Sequence, residues 1–458
     1  MTQSLILINP WIYDFAAYDL WSKPLGLLYL AGYLRGCGFK VHLVDCLDVH
    51  HPAMARAPAK RPKRRGYGTG KFWRHPVSTP SPLRHVPRPY SRYGLSPQVF
   101  EDEVRKIQGA GAVLVTSLMT YWYPGVREAV RRVKALHPDT PVILGGIYAR
   151  LCHEHALKHS GADKVVMISD PASVLRVLGE YGIHPPDGVP PSTFKPYPAF
   201  DLLHGIDYVC LLTSGGCPYR CQYCASHFLN AFFTRRDPKE VLDEIIYWHK
   251  DFGVRDFAFY DDALLVSFED HLGVLLSSLE RLHLGIRFHT PNAIHAREVD
   301  RQRARLMYRA GFKTIRLGLE SADFSCFREW DQKLSKGDFE RAVGALLEAG
   351  YTSPDIGAYI LIGLPGQSVD SVEETIEFVA RVGAVPYLSE YSPIPHTALW
   401  ETARAHSLYD IGAEPLFHNN TLLPCWDDSR KRQLTRLKNR TMALRQRYRL
   451  TPEPPPQG

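Results

Sequence analysis

The second half of the chain alternates between short apolar runs and stretches of helical period, and this alternation limits the fold more than any other property. Strands are predicted at Tyr208–Leu212, Asp256–Tyr260, Ile286–His289, Thr314–Leu317, Asp355–Leu361 and Tyr387–Tyr391. Helices fall between them at Pro238–Phe252, Phe268–Arg281, Asp300–Ala310, Gly337–Ala349 and Ser368–Val382. Strands joined by helical crossovers pair in parallel with right-handed connections, which here implies a partial or closed βα barrel. Functional residues then belong on the loops that follow the strands.

The first half alternates too, less regularly. Strands are expected at Leu5–Ile8, Lys40–Val44, Ala112–Thr116, Val142–Leu144 and Lys164–Ile168. Helices are expected at Pro24–Arg35, Pro97–Gln108, Gly125–Leu136 and around Cys152–His159. Short buried strands between helices make a parallel, doubly wound sheet, which binds ligands beyond the carboxyl ends of its strands. Those ends carry Ser117-Leu118-Met119 and Gly145-Gly146-Ile147-Tyr148. A Pro-rich linker, IHPPDGVPPSTFKPYPAFD, separates the halves. The fold class is therefore α/β, with a Rossmann-like domain over 1–190, a barrel over 191–405 and a C-terminal extension over 406–458. That extension holds a basic helix at Asp427–Arg447 and a disordered end, TPEPPPQG.

Charge is distributed unevenly. Residues 49–100 contain eleven Lys and Arg and no acidic residue, so against a formal net charge of +7 the remainder of the chain is net −4. The basicity belongs to one Pro-rich insertion at about 49–96, where Tyr67, Phe72, Trp73, Tyr90 and Tyr93 interleave with the cations. Such a mixture clamps phosphates and stacks bases, or it wraps a domain surface with its charges solvated; the second reading is favoured. A contact with an anionic substrate or an electron-donor protein is a third reading. No apolar run approaches the ~18–20 residues a membrane helix needs. The start, MTQSLILINP, has no secretory pattern, which points to the cytoplasm. Nine cysteines in such a chain argue for thiols or metal ligands rather than a disulfide framework.

After the first barrel strand the sequence reads LLTSGGCPYRCQYCAS, placing Cys217, Cys221 and Cys224 in C-x3-C-x2-C spacing. Three thiolates on one loop can hold one metal centre, and three ligands leave one iron of a 4Fe–4S cube open. Gly215 and Gly216 let the backbone bend beside it. Spacing alone leaves two alternatives open: a structural zinc site completed by His227, or unrelated thiols.

In this position the motif resembles that of the radical S-adenosylmethionine (SAM) superfamily, including an aromatic, Tyr223, just before the third cysteine. The resemblance covers roughly 205–400. It implies that Cys217, Cys221 and Cys224 bind three irons while SAM chelates the fourth. The reduced cluster would then cleave SAM to methionine and a 5′-deoxyadenosyl radical. It further implies SAM contacts at Asp261 and Asp262, in AFYDDALL, and at Glu320 and Ser321, in RLGLESAD. Gly363, with Pro365 and Gly366 in GAYILIGLPGQ, would admit the adenine, and Gln367 stands where many members have Glu. His289, Thr290 and Asn292 are expected at the same mouth, with His289 and Cys326 as weak catalytic candidates. Helix capping is the structural alternative for either aspartate, and a satisfied buried side chain for the histidine.

A Rossmann-like domain before such a barrel resembles the cobalamin-binding class of the superfamily, with PLGLLYLAGYLRGCGFKVHLVDC matching in position and character. The resemblance implies methyl transfer through cobalamin, held near Ser117, Gly145 and Gly146, to a small or medium-sized metabolite. The Asp-x-His-x-x-Gly motif for a lower histidine ligand is absent; Asp48-Val49-His50 has only its first half and continues His51-Pro52. The alternatives are radical chemistry without methyl transfer (rearrangement, cyclisation or RNA modification) and a zinc-stabilised protein without catalysis. Expected partners are a small-molecule substrate and an electron donor such as flavodoxin or ferredoxin, with nucleic acid less favoured and no membrane. The six other cysteines (Cys37, Cys46, Cys152, Cys210, Cys326 and Cys425) show no second cluster spacing and read mostly as core thiols. Phe417-His418-Asn419-Asn420 is a polar patch expected to close the cavity.

Overall fold

The computed structural model describes residues 3–55, 61–168, 170–186, 197–324 and 334–450. Its contacts divide the chain into two units: residues up to Asp207 with Ala413–His418, and Tyr208–Gly412 with the chain from Asn419 onward. The division falls after Asp207 rather than near residue 190, because the segment after the Pro-rich linker packs on the first unit. There Ala199 N–H donates to Leu28 O at 2.9 Å, and Arg35 pairs with Asp201 at 2.5 Å. The C-terminal extension is likewise shared between the units rather than separate.

The first unit is built on β1 (Ser4–Asn9), β2 (Lys40–Asp45), β3 (Ala110–Val115), β4 (Val142–Leu144) and β5 (Lys164–Val165). They pair in parallel in the order β2-β1-β3-β4-β5. This is a doubly wound order with its switch point between β1 and β3. Leu5, Ile6, Leu7 and Ile8 are fully buried, as a strand covered on both faces requires. The helix Leu25–Gly36 ends where Gly38 adopts φ +88°, a turn that favours glycine.

The described part of the basic insertion from Arg61 onward forms short strands and turns. Ile12–Asp14, Ser91–Tyr93 and Arg74–Pro76 form a three-stranded antiparallel ribbon, and Gly70–Lys71 pairs with Tyr18–Asp19. Four of its five named aromatics do not face solvent: Phe72, Trp73, Tyr90 and Tyr93 are buried, with Tyr90 Oη donating to Tyr13 O and Tyr93 Oη to Phe15 O, while Tyr67 is partly exposed. The stacking surface that the composition suggested is therefore core. Arg61, Lys63, Arg65, Lys71, Arg74, Arg84 and Arg88 are exposed, which matches the solvated-wrap reading; Arg56 and Lys60 lie outside the described residues.

The first half of the Asp-x-His motif also has structural partners. Asp48 accepts from His204 Nδ1 at 2.6 Å, and His50 Nε2 lies 2.8 Å from Asp207. The hydrogen bond to Asp48 raises the His204 pKa against burial. Burial lifts Asp48, but hydrogen bonds from His204 and His50 N–H hold it below the ordinary carboxylate value. A raised histidine contributes stability that is complete below its unfolded pKa and fades as pH rises through the folded one. A depressed aspartate contributes stability that fades as pH falls through its folded pKa. The tie should therefore be strongest between about pH 4 and 6.5. A double-mutant cycle (His204→Ala, Asp48→Asn) should give no more than about 1 kcal/mol at pH 5.5, since the pair is partly solvated. The coupling should shrink by pH 8.5; a pH-independent coupling would refute the assignment.

The second unit is a run of parallel strands: β6 (Val209–Leu211), β7 (Asp256–Phe259), β8 (Arg287–His289), β9 (Phe312–Glu320), β10 (Ile356–Ile362) and β11 (Val385–Glu390). They pair in sequence order, and a two-residue strand at Ile294–His295 adds to β9. The intervening helices are Pro238–Phe252, Leu272–Leu282, Arg301–Ala310, Lys336–Glu348 and Val369–Val382. Phe259, Phe288 and Phe312 form a buried ring cluster with centroids 5.2 to 5.5 Å apart. This is a (β/α)6 partial barrel, open between β6 and β11 among the described residues. The helix Asp428–Leu450 lies along the edge strand β11, with Lys438 on Glu390 at 2.7 Å and Arg445 Nε on Pro386 O at 3.1 Å. Covering an edge strand removes its pairing hazard. No helix of the described residues is long and apolar enough to cross a membrane.

Candidate active site

The loop after β6 carries the three cysteines, and its shape is set before the first of them. Ser214–Gly215 pairs antiparallel with Thr234–Arg235. Gly216 then adopts φ +77°, and a Cβ there would lie 2.5 Å from Phe232 O, so only glycine fits. Cys217 and Cys224 are half-buried and Cys221 is buried, none of them in a disulfide. Ser226 N–H donates to Cys224 Sγ at 3.4 Å, and Cys224 N–H to Cys221 O at 3.1 Å. Arg236, ion-paired with the buried Glu244 at 2.7 Å, donates to Leu212 O and fixes the start of the loop.

Asp261 sits under this loop. It is buried, and accepts from Thr213 N–H at 3.0 Å, Thr213 Oγ1 at 2.7 Å, Ser214 N–H at 2.5 Å and Ser214 Oγ at 2.6 Å. Burial pushes its pKa up while those bonds pull it down. Its carboxylate thus brackets the residues that lead into the cysteine loop. Asp262 accepts from Ser226 Oγ at 2.5 Å, two residues past Cys224, and burial raises its pKa.

His289 has the partners of a satisfied buried side chain. It is fully buried, with Nε2 at 3.0 Å from Asp256 Oδ1 and Nδ1 at 3.0 Å from Thr314 Oγ1. Asp256 opens β7, whereas His289 is the last residue of β8. Burial lowers the histidine's pKa despite the carboxylate. Thr290 is buried and bridges Thr314 O and Arg316 N–H. Asn292 remains exposed, donating to Tyr260 O at 2.8 Å. Cys326 lies outside the described residues.

Glu320 ends β9 with φ +63°, a left-handed conformation that costs a non-glycine residue ~1–3 kcal/mol and concentrates at functional sites. Its carboxylate lies over Gly318, where a Cβ would come within 3.0 Å of Oε1. Ser321 Oγ accepts from Asp323 N–H. In the β10 turn Gly363 has φ +92°, and Gln367 Oε1 accepts from Gly363 N–H and Leu364 N–H while Nε2 donates to Leu361 O. A glutamate cannot make that last bond. Tyr223 is half-buried within the loop.

One residue was missed by the sequence reading. His295 Nε2 lies 3.9 Å from Cys217 Sγ, and His295 is paired across from Gly318, the glycine beneath Glu320. The fold thus gathers Cys217, His295 and Glu320 at one end of the barrel, while Asp261 works from below. Among the described residues no group of three or more His, Cys, Asp or Glu side chains, the loop cysteines and His227 included, is disposed to hold a single ion. Three thiolates on one glycine-bent loop are a soft donor set that fits an iron–sulfur cluster.

The first unit has its own cavity, of about 250 Å³, at the carboxyl ends of β3, β4 and β5. Its walls are mostly apolar (Leu27, Leu30, Leu114, Ile143, Val174), with Arg150, Asp170, Gly145 and Gly146 also lining it. Ser117 is not part of the lining. It is buried, with Oγ donating to Gly145 O at 2.6 Å and accepting from Ala149 N–H at 3.3 Å, so it shapes the glycine turn. Of the polar patch, His418 belongs to this unit. It is buried in this unit with Nδ1 at 2.8 Å from Thr120 Oγ1.

The structure thus joins a parallel (β/α)6 barrel, with three cysteines on the loop after its first strand, to a doubly wound unit in one chain. Residues 211–379 match the Radical SAM superfamily, and this segment is a radical SAM domain. An uncharacterized methyltransferase of Pyrococcus horikoshii is 25% identical over 46% of this chain, spanning about half (47%) of that relative's length. The cytidylyl-2-hydroxyethylphosphonate methyltransferase of Streptomyces wedmorensis is 20% identical, over 83% of this chain and 78% of its own. The solved radical SAM methyltransferase TsrM of Kitasatospora setae, with cobalamin and a [4Fe-4S] cluster bound, superposes with TM-score 0.64 at 17% identity, over 88% of this chain and 79% of that one. At that identity the likeness establishes the fold: a Rossmann-like unit followed by a radical SAM partial barrel.

Proposed function

We propose that the protein is a radical SAM enzyme, a cobalamin-dependent methyltransferase acting on a small or medium-sized metabolite. The observation that carries the reading is the cysteine loop after β6 of a six-stranded parallel barrel, in a chain whose other unit has an apolar cavity at its strand ends. Cys217, Cys221 and Cys224 would hold a 4Fe–4S cluster, and Glu320, Ser321 and Gly363 would meet SAM. The cavity beside Gly145 and Gly146, at about 250 Å³, would take one part of the corrinoid rather than the whole group. With these groups bound, the site supplies reductive cleavage of SAM and a cobalt-carried methyl. The chain's own residues orient and exclude: Gly216 and Asp261 fix the thiols, Gln367 fixes the β10 turn, and the apolar wall of the first unit keeps water from its ligand. His50 is engaged with Asp207, which argues against it as a lower ligand to cobalt. The relatives named above as methyltransferases and the cobalamin-bound structure support this reading. It places the enzyme in the cytoplasm, reduced by a one-electron donor such as flavodoxin or ferredoxin.

Anaerobic protein made with ample iron, sulfide and hydroxocobalamin should show a cluster absorption band together with corrin bands that survive desalting. Replacing Cys217, Cys221 and Cys224 with alanine should abolish iron content and SAM cleavage, lowering cleavage at least 100-fold. Label from the SAM methyl group should appear in product. Unchanged iron and cleavage in the triple variant refutes the reading. Cleavage without methyl transfer would move it to rearrangement, cyclisation or RNA modification, and colourless protein with stoichiometric zinc would remove catalysis altogether.

A further inference from the structure

We propose that His295 tunes the reduction potential of the cluster by donating an N–H···S hydrogen bond to the Cys217 thiolate. This rests on the cluster assignment above and adds to it a residue with a distinct role. His295 Nε2 lies 3.9 Å from Cys217 Sγ. His295 is placed by its backbone and by one ring contact. Its backbone is paired with β9 opposite Gly318. Its ring, on a residue only 7% exposed, meets Tyr219 edge-on at 4.4 Å. Tyr219 in turn donates from Oη to Glu298 Oε1 at 2.8 Å, and Arg303 pairs with Glu298 at 3.0 Å. Tyr219 belongs to the cluster loop itself, between Cys217 and Cys221, so the histidine and the cysteine are fixed by the same contacts.

The chemistry follows from the donor inventory. A thiolate bound to iron has no proton and can only accept, so the imidazole nitrogen facing it must be the donor. Reduction by an external one-electron donor adds a negative charge that spreads onto the cluster's sulfurs. A hydrogen bond aimed at one of those sulfurs stabilises the reduced form more than the oxidised form and raises the potential. No bond to iron is required of His295, and it is a positioning residue rather than a catalytic one.

The test compares reconstituted wild type, His295→Gln and His295→Ala, without SAM. Iron and sulfide per chain are measured first, then the midpoint potential by a titration followed by electron paramagnetic resonance. All three proteins should load equally. The alanine variant should titrate at a more negative potential, and the glutamine variant, which keeps an N–H donor, should fall between. If the alanine variant does not fold, Tyr219→Phe replaces it; losing the anchor to Glu298 should give a smaller shift of the same sign. A fully loaded alanine variant with an unmoved midpoint overturns the inference. Loss of iron in both histidine variants also overturns it, because His295 would then be a ligand. Wild type that loads no iron refutes the cluster reading itself, a result distinguishable from either of these.

Discussion

Replacing Asp261 with alanine should empty the cluster site of an otherwise folded barrel. Its carboxylate receives both the N–H and the hydroxyl of Thr213 and of Ser214, the two residues that lead into Gly215 and Gly216. Removing it leaves four buried donors without this acceptor, each costing ~1–3 kcal/mol if nothing replaces it. Relaxation makes these costs less than additive, so a loss on the order of 4 kcal/mol is expected, large against an ordinary total stability. Much of that relaxation must occur in the loop, because β6 and β7 are held by their own ladder. The expected result is a fall of at least fivefold in iron and sulfide after anaerobic reconstitution, with a lowered melting temperature. Asp261→Asn keeps one acceptor oxygen but turns an amide N–H₂ toward the donors, and should lie between. Should the alanine variant keep its cluster and lose only SAM affinity, the bracket is not what holds the loop, and the ammonium contact implied by the family resemblance returns.

How far this site was legible follows from where its information lies along the chain. The thiol motif is local: Cys217, Cys221 and Cys224 fall within eight residues, and spacing alone brings them to one loop. The barrel strands were equally legible where apolar runs were bounded by helix caps, as with Asp237 before Pro238–Phe252 and Gly253 after it. β9 was read too short, as Thr314–Leu317. Gly318-Leu319-Glu320 lacks strand character, yet Gly318 and Glu320 pair with Tyr359 and Ile360 around an irregularity at Leu319. His295 was not legible at all. Its approach to Cys217 comes from a parallel pairing with residues more than twenty positions away, and no periodicity records that. The hydrogen-bond partners of Asp261 and His289 were not legible for a related reason. Position at a strand end brings a polar residue near the mouth, but which way it points depends on donors supplied by a neighbouring strand. The basic insertion shows the limit of composition: the same mixture of arginine and aromatics describes a stacking surface and a small buried ribbon. Only burial separates the two.

The neighbouring glycines of the first unit allow a sharper experiment than any charge removal. Gly145 and Gly146 both line the cavity, but their backbones differ. A Cβ on Gly145 would meet only Val166 Cγ2 at 3.5 Å, an ordinary contact. On Gly146, at φ +91°, it would fall 2.4 Å from Ser117 O and 2.5 Å from Ser117 N. The clash is with backbone that also accepts from Ile147 N–H at 2.7 Å, so neither side can yield without opening the turn. Left-handed strain alone costs ~1–3 kcal/mol, and the displaced turn adds to it. Gly146→Ala should therefore lower the unit's stability by about 3 kcal/mol. It should also weaken hydroxocobalamin binding at least tenfold, while Gly145→Ala leaves both nearly unchanged. Cluster content should be the same in all three proteins, since the cysteine loop belongs to the other unit. Equal corrinoid affinity in the two variants would mean that the cavity is not the binding site. Loss of stability without any corrinoid binding by wild type would leave a doubly wound unit whose cavity serves the substrate instead.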